Sequence, residues 1–173
     1  MKYKINKKQN NSDMCLVCGM NNPYSFKAGF YETDGDFLVA VIKGKDEHQS
    51  YPNRMHGGLI CALLDEVIGR AIQIKDPSQW GVTMEITVKY RKPVPLNSEL
   101  KLAGRIVGET GRTFTGKGII EDMEGNLLAT AAAVYFKQPV EKIINSETSG
   151  FLWEVFPDEE MPEEIEIKNT GAF

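Results

Sequence analysis

Met55-His56-Gly57-Gly58-Leu59-Ile60-Cys61-Ala62-Leu63-Leu64-Asp65-Glu66-Val67-Ile68-Gly69-Arg70-Ala71-Ile72-Gln73-Ile74 is a long, mostly apolar run with the period of a helix. Two glycines open it, apolar residues cover most of its surface, and Lys75-Asp76-Pro77 ends it with a proline just past the last periodic residue. The pattern predicts one helix of roughly 18 residues, near 27 Å long at about 1.5 Å per residue. A helix that is apolar nearly all round must be enclosed by other structure.

Its two adjacent carboxylates differ in their surroundings. Helical neighbours lie at i±3 and i±4, which places Asp65 beside Cys61, Ala62, Ile68 and Gly69, none of them charged. Glu66 has Arg70 beside it and Gln73 a turn further on, and belongs to a polar stripe. Burying Asp65 among apolar neighbours is costly without a partner, and a carboxylate so placed suits a general base or nucleophile. The other reading is that Asp65 faces an oligomer partner or a water channel and is merely solvated. Gly57 and Gly58 bear on that choice. The first turn of a helix carries free N–H groups and the positive end of the macrodipole, and glycines there let a carbonyl or anion approach the backbone. A polarised carbonyl near a carboxylate is the arrangement of acyl transfer. Alternatively, the glycines only let the helix start pack closely on a strand.

The chain of 173 residues, 42% hydrophobic and 25% charged, suits one soluble domain. A net charge of −4 argues against a general nucleic-acid binder. No apolar run free of charge is long enough to span a membrane, and no apolar stretch follows the basic Met1-Lys2-Tyr3-Lys4-Ile5-Asn6-Lys7-Lys8. The expectation is a cytoplasmic protein without membrane or nucleic-acid partners. Cys15, Cys18 and Cys61 are odd in number and do not suggest a disulfide framework. Cys15-Leu16-Val17-Cys18 has metal-knuckle spacing, but zinc takes four ligands and only His48 and His56 are available as histidines. The pair is expected to be reduced, structural or incidental, with no metal and no cofactor; the alternative is a structural zinc shared between subunits.

In chain order, residues 1–13 are expected to form a flexible basic N-terminus, 14–137 the folded domain and 138–173 an acidic C-terminal extension. Residues 25–33 and 37–42 read as strands joined at Asp34-Gly35. The polar loop 43–54 leads into His56; either histidine is a candidate base, with His56 favoured as a group that caps or orients the helix start and His48 expected to be exposed. Past the helix the period changes to 2. Val82, Met84, Ile86, Val88 and Tyr90 share one face of a strand, and Thr83, Glu85, Thr87 and Lys89 the other. Strands over 99–107, 112–121 and 127–137 follow, separated by short turns, giving an antiparallel meander. The class is α+β, with five to six antiparallel strands and one helix covering one face, and the remaining apolar area suggests an oligomer. The tail carries Glu154, Asp158, Glu159, Glu160, Glu163, Glu164 and Glu166 and its acidic end is expected to be solvated and partly disordered, while the apolar patch at Phe151-Leu152-Trp153 and Val155-Phe156 is a candidate to dock back on the domain or on a partner.

His56-Gly57-Gly58, then Asp65 after a six-residue apolar spacer, then a threonine-bearing strand ending in Tyr90-Arg91-Lys92-Pro93, resembles the hotdog-fold acyl-CoA thioesterases. The nearest type is the group named for phenylacetate degradation, whose members share an opening Cys-x-x-Cys-Gly and Asn-Pro like Cys15 to Gly19 and Asn22-Pro23 here. The resemblance implies a curved antiparallel sheet wrapped around one long helix, and a homodimer, often paired into a tetramer, with its sites at the dimer interface. It implies hydrolysis of a thioester of coenzyme A or of a carrier protein. Asp65 would be the base or nucleophile, the Gly57 N–H would polarise the carbonyl, His56 would shape the loop and Thr83 would help to place the attacking water. Gly58, Ser50, Asn53 and Tyr90 would line the substrate, with Arg91, Lys92 and Arg112 as candidates for the coenzyme phosphates. Some relatives carry asparagine where this chain has Ser50, with Asn53 out of register. The alternatives are a non-catalytic acyl-CoA binding or sensing module and, last, a hotdog dehydratase.

Overall fold

In the computed structural model, residues 1–144, 153–157 and 161–173 are described. Phe151 and Leu152 of the apolar patch, and Asp158, Glu159 and Glu160 of the acidic tail, lie outside the described residues. The helix starts where the sequence places it. Helix α1 spans Gly57–Gly69 and then tightens into a 3-10 turn over Arg70–Ile74, so the expected single run is built from two coaxial parts. The strands are β1 (Lys2–Lys8), β2 (Asn11–Ser12), β3 (Tyr31–Thr33), β4 (Leu38–Lys43), β5 (Gln79–Tyr90), β6 (Glu99–Glu109), β7 (Thr113–Asp122), β8 (Leu127–Pro139), β9 (Trp153–Glu154) and β10 (Glu164–Glu166). A short helix α2, Val140–Ile143, follows β8.

Eight strands form one sheet in the order β10-β1-β3-β4-β6-β7-β8-β5, and β2 and β9 pair apart from it. Every pairing is antiparallel. β6, β7 and β8 form the expected meander, but β5 pairs with β8 at the sheet edge and not with β6, the next strand in the chain. The sheet is wider than expected, since both termini add strands. Residues 2–8, expected to be frayed, pair with β10 on one side and β3 on the other.

The helix lies on this sheet at backbone distance. A Cβ at Gly104 of β6 would stand 2.6 Å from the Val67 carbonyl oxygen, and ones at Gly116 and Gly118 of β7 would stand 2.4 and 2.7 Å from the Ile68 side chain. Leu63, Leu64, Val67 and Ile68 are therefore fully enclosed. Small side chains continue the platform on β8, where Ala129, Ala131 and Ala133 are buried beneath the helix.

Residues 25–30 do not join a strand as expected. Lys27 has a positive φ of 52°, and the backbone N–H groups of Phe26 and Ala28 bond to the carbonyls of Leu16 and Val17. This segment and the Cys15–Cys18 turn form an arm along one flank of the helix. His48, expected to be exposed, is buried and stacked on Phe26 with ring centroids 3.8 Å apart.

The C-terminal segment covers part of the sheet's outer face, where solvated tail was expected. Ile165 and Ile167 pack with Ile5, Phe37, Val39, Ala103 and Ile119. Under them lies the buried pair Lys101–Glu121 at 2.8 Å. Glu121 also accepts the N–H groups of Lys168 and Asn169, and Lys101 Nζ donates to the Glu166 carbonyl at 2.6 Å. Burial alone raises the Glu121 carboxyl, but the bonds from Lys101, Asn169 and Lys168 together outweigh it and hold the group below the usual glutamate range.

Two outcomes follow for stability. Gly104→Ala forces a methyl against helix backbone and should lower unfolding free energy by about 1–3 kcal/mol in a urea titration. Glu121→Gln leaves Lys101 buried without its counter-charge and should cost about 3 kcal/mol at neutral pH. Because the folded-state pKa of Glu121 is lowered, its contribution is complete above the ordinary carboxylate range and lost as pH falls through it towards the lowered value. The wild-type and Glu121→Gln unfolding midpoints should accordingly converge in acid.

Candidate active site

Asp65 sits in the middle of α1 on a half-buried face, and two hydroxyls converge on it. Thr83 Oγ1 donates to its carboxylate at 2.9 and 3.1 Å. Tyr135 Oη lies 2.9 Å from Asp65 Oδ1 and 3.0 Å from the Asp65 carbonyl oxygen. Asp65 is therefore partnered, not stranded among apolar groups. Burial first, then the Asp65 charge, push the Tyr135 phenol up, which keeps it a donor.

A backbone irregularity aims Thr83 at this carboxylate. Ile86 and Val88 pack on the helix, so strict alternation would turn Thr83 away with Glu85 and Thr87. The register of β5 on β8 instead shifts between Thr83, which pairs with Tyr135, and Glu85, which pairs with Val134. Met84 is the extra residue of a bulge, and the swap of faces sends Thr83 towards Asp65. The expected apolar face breaks at the same point, leaving Val82 and Met84 exposed at 47% and 61%.

Asp65, Thr83 and Tyr135 open onto a cavity of about 450 Å³, with Gly81 and Trp80 from β5 and with Cys15 and Cys18 of the arm on its other side. Glu66 and Arg70, expected on a solvated polar stripe, border the same cavity, and Arg70 is buried beneath the arm at 6% exposure.

A second group of candidates meets at the helix start. His56 is the N-cap, its Nδ1 accepting the Gly58 N–H at 2.9 Å, and Tyr90 Oη donates to the Gly57 carbonyl at 2.9 Å. No described residue accepts a hydrogen bond from the Gly57 N–H. A Cβ at Gly57 would meet only the Tyr90 ring, at 3.6–3.7 Å, so close packing does not demand glycine there. The position leaves a half-buried donor without a described acceptor at the positive end of the helix. His48 is not available as a base, since Nε2 is 2.8 Å from the Tyr24 carbonyl and Nδ1 accepts the Lys45 N–H at 3.1 Å.

Ser50 and Asn53 lie in the exposed turn just before the helix, where Ser50 N–H bonds to the Arg54 carbonyl and Asn53 takes a φ of 59°. Arg91 and Lys92 are exposed beyond Tyr90, with Lys92 Nζ 3.3 Å from Asn126 Oδ1. Arg112 stands apart from them, lining a second cavity of about 370 Å³ with Lys75 and Lys137, both of which pair with Glu109. Gly57 and Asp65 are eight residues apart on one helix, so at about 1.5 Å per residue they stand about 12 Å apart along its axis. One chain brings Asp65, Thr83 and Tyr135 together, and Gly57, His56, Gly58 and Tyr90 together, but it does not bring the two groups onto one atom.

The sequence and the fold have relatives among known proteins. Residues 53–129 match the model of the thioesterase superfamily. Human acyl-coenzyme A thioesterase 13 is 23% identical over 94 residues, which cover 53% of this chain and 66% of that one. A crystal structure described as a thioesterase superfamily protein matches with a TM-score of 0.66 at 24% identity, over 70% of this chain and 59% of the other. One from Streptococcus pneumoniae, described as a hypothetical thioesterase protein with coenzyme A, matches with a TM-score of 0.55 at 23% identity, over 60% of this chain and 82% of the other. The chain spans just under two thirds of the length of the curated relatives it matches. Over residues 53–129 the chain is similar to the thioesterase superfamily, and it has the hotdog fold. Among the described residues no helix is long and apolar enough to cross a membrane.

Tyr135 is not among the residues that the sequence singles out. Its one sequence signal is a large phenol ending a row of buried alanines. Tyr135→Phe keeps the ring stacked on Phe114, at a centroid distance of 4.8 Å, and removes only the hydroxyl. It should cost about 1 kcal/mol in chemical denaturation, while Thr83→Val at its exposed site should stay within about 0.5 kcal/mol.

Proposed function

We propose that the protein is an acyl-CoA thioesterase of the phenylacetate-degradation type, acting as a homodimer in which Asp65 of one copy and the Gly57 N–H of the other meet on one thioester. The observation that carries this reading is the bare Gly57 N–H on the same helix as an Asp65 carboxylate held by two hydroxyls, about 12 Å away. A second copy of the helix running the other way is the simplest means of putting both on one carbonyl. The edge strand supports that arrangement. β5 is 12 residues long, pairs only with β8, and exposes Val82, Met84 and Tyr90 beside Phe136 of β8. An unprotected apolar edge of this length is a template for strand pairing.

In this reading the Gly57 N–H and the helix dipole polarise the thioester carbonyl. Asp65 accepts a proton from water as the water oxygen attacks the carbonyl carbon, or attacks that carbon itself; Thr83 and Tyr135 hold the carboxylate in place. The C–S bond then breaks, the thiolate leaves and takes up a proton. His56 and Tyr90 set the first turn so that its free N–H points outward. Ser50 and Asn53 edge the entrance. The cations Arg91 and Lys92 at one end, and Arg112 at the other, suit the coenzyme phosphates. His56 Nδ1 is committed to the Gly58 N–H, which leaves a dehydratase without its catalytic histidine. The relative named acyl-coenzyme A thioesterase supports the substrate class. Three free cysteines fit a reducing compartment such as the cytoplasm.

Thiol release should be followed across short, medium, long and aromatic acyl-CoAs. Asp65→Asn should lower turnover by roughly 100-fold or more while acyl-CoA still binds. Wild-type protein that binds an acyl-CoA and never cleaves it would make this a binding module. Gly57→Pro removes the N–H at a helix position where proline is tolerated, and should cost roughly 100- to 1,000-fold. Each hybrid dimer of Asp65→Asn with Gly57→Pro keeps one intact site, so mixing the two inactive variants should restore turnover. A mixture as inactive as its components would sink the shared site.

A further inference from the structure

The arm carries a thiol pair that the hydrolytic reading does not use. Cys15-Leu16-Val17-Cys18-Gly19 closes a tight turn in which Gly19 N–H bonds to the Cys15 carbonyl at 2.8 Å. A Cβ at Gly19 would stand 2.3 Å from that oxygen, so the turn excludes any larger residue. Cys15 Sγ accepts the backbone N–H groups of Val17 and Cys18 at 3.2 and 3.3 Å. Cys18 Sγ accepts from Arg70 Nη2 at 3.0 Å. The two sulfurs and a Glu66 carboxylate oxygen all lie within 4.8 Å of one another.

Arg70 is the cation of this cluster and is firmly held. Its Nε donates to Glu66 at 2.6 Å, its Nη1 to the Asn10 carbonyl at 2.8 Å, and its guanidinium lies 4.8 Å from the ring centroids of both Phe30 and Trp153. A metal ion among Cys15, Cys18 and Glu66 would sit against this buried guanidinium, which already takes a sulfur and a carboxylate oxygen. The hydrogen bond from Cys15, with Arg70 adding, lowers the Cys18 thiol to about 6, while the same bond raises Cys15. The pair so holds one shared proton at neutral pH. Cys15 is partly exposed on the cavity that also holds Asp65, and Cys18 lies behind it.

We propose that Cys15 and Cys18 are a redox-active dithiol that exchanges with a small linear disulfide entering the cavity and closes to an intramolecular disulfide. Cys15 attacks as its thiolate, its proton having passed to Cys18: Cys15 Sγ bonds to one sulfur of the small disulfide, whose S–S bond breaks, and the departing thiolate takes the proton from Cys18. The Cys18 thiolate then attacks Cys15 Sγ, forming the protein disulfide and releasing the second small thiolate. Two electrons pass from the cysteines to the small disulfide, and charge is conserved. The two sulfurs already stand within 4.8 Å of one another in so short a loop. A thiolate stabilised by Arg70 favours the reduced form, so the disulfide is readily reopened and acts reversibly. This inference stands independently of thioester hydrolysis.

The full-length protein, equilibrated in glutathione buffers of graded oxidation state, would be quenched with N-ethylmaleimide under denaturing conditions and weighed intact. The expected product of oxidation carries a single alkyl group, on Cys61, and is lighter by two hydrogens before alkylation is counted. It should appear while reduced glutathione is still present and revert on adding more. Cys18→Ser should stop at a glutathione adduct on Cys15, and Cys15→Ser should form no internal disulfide. Arg70→Gln should move the midpoint towards more reducing buffers; should it not fold, the cysteine variants carry the test alone. Three alkylated cysteines in the most oxidising buffer would overturn the proposal, as would a wild-type protein that halts at the glutathione adduct. So would stoichiometric cobalt(II) binding with a thiolate charge-transfer band that Cys15→Ser abolishes, which would make the cluster a metal site.

Discussion

The backbone of α1 lies against Gly104 and its Ile68 side chain against Gly116 and Gly118, and the rest of the molecule is arranged around that approach. Val67 and Ile68 occupy the space that three side chains would fill. With the helix so close, the sheet curves about it, Ala129, Ala131 and Ala133 floor the next strand, and the enclosed leucines and isoleucines form one core. Asp65 is one turn before the contact. Its carboxylate stands where the paired residues Thr83 of β5 and Tyr135 of β8 both reach it with their hydroxyls.

The bulge at Met84 solves a conflict within β5. The strand has to pack Ile86 and Val88 onto the helix and also present a hydroxyl to Asp65 three residues earlier, which a period of two forbids. One extra residue reconciles the two demands. It also leaves Val82 and Met84 facing outward on an edge strand, so the device that completes the carboxylate's surroundings also exposes the apolar edge.

The two terminal segments act on opposite sides of the sheet. The C-terminal residues close part of the outer face, anchored on Glu121 and Lys101, and reduce the apolar area that the central meander alone would present. The N-terminal arm does the same for the Glu66–Arg70 flank of the helix. It turns what reads as a solvated stripe into a buried cluster of two sulfurs, a carboxylate and a guanidinium against the cavity wall.

Much of this was legible in the residues themselves. The helix start at His56-Gly57-Gly58, the apolar periodicity through Ile74, the alternation from Ile86 to Tyr90 and the turns between the later strands are all settled by neighbours within a few positions, where backbone sterics and capping act. Asp65 stands out for the same reason, as a charge among uncharged i±3 and i±4 neighbours. The hydroxyl of Tyr135 on Asp65 joins residues 70 positions apart, and Arg70 on Cys18 joins residues 52 apart. The sheet strand at residues 2–8 pairs with residues 164–166 at the other end of the chain. No local pattern encodes such pairs, nor the register shift at Met84, because each arises only when helix and sheet have packed. Local sterics determined the elements and the helix-borne carboxylate, and the tertiary packing alone decided which donors surround it.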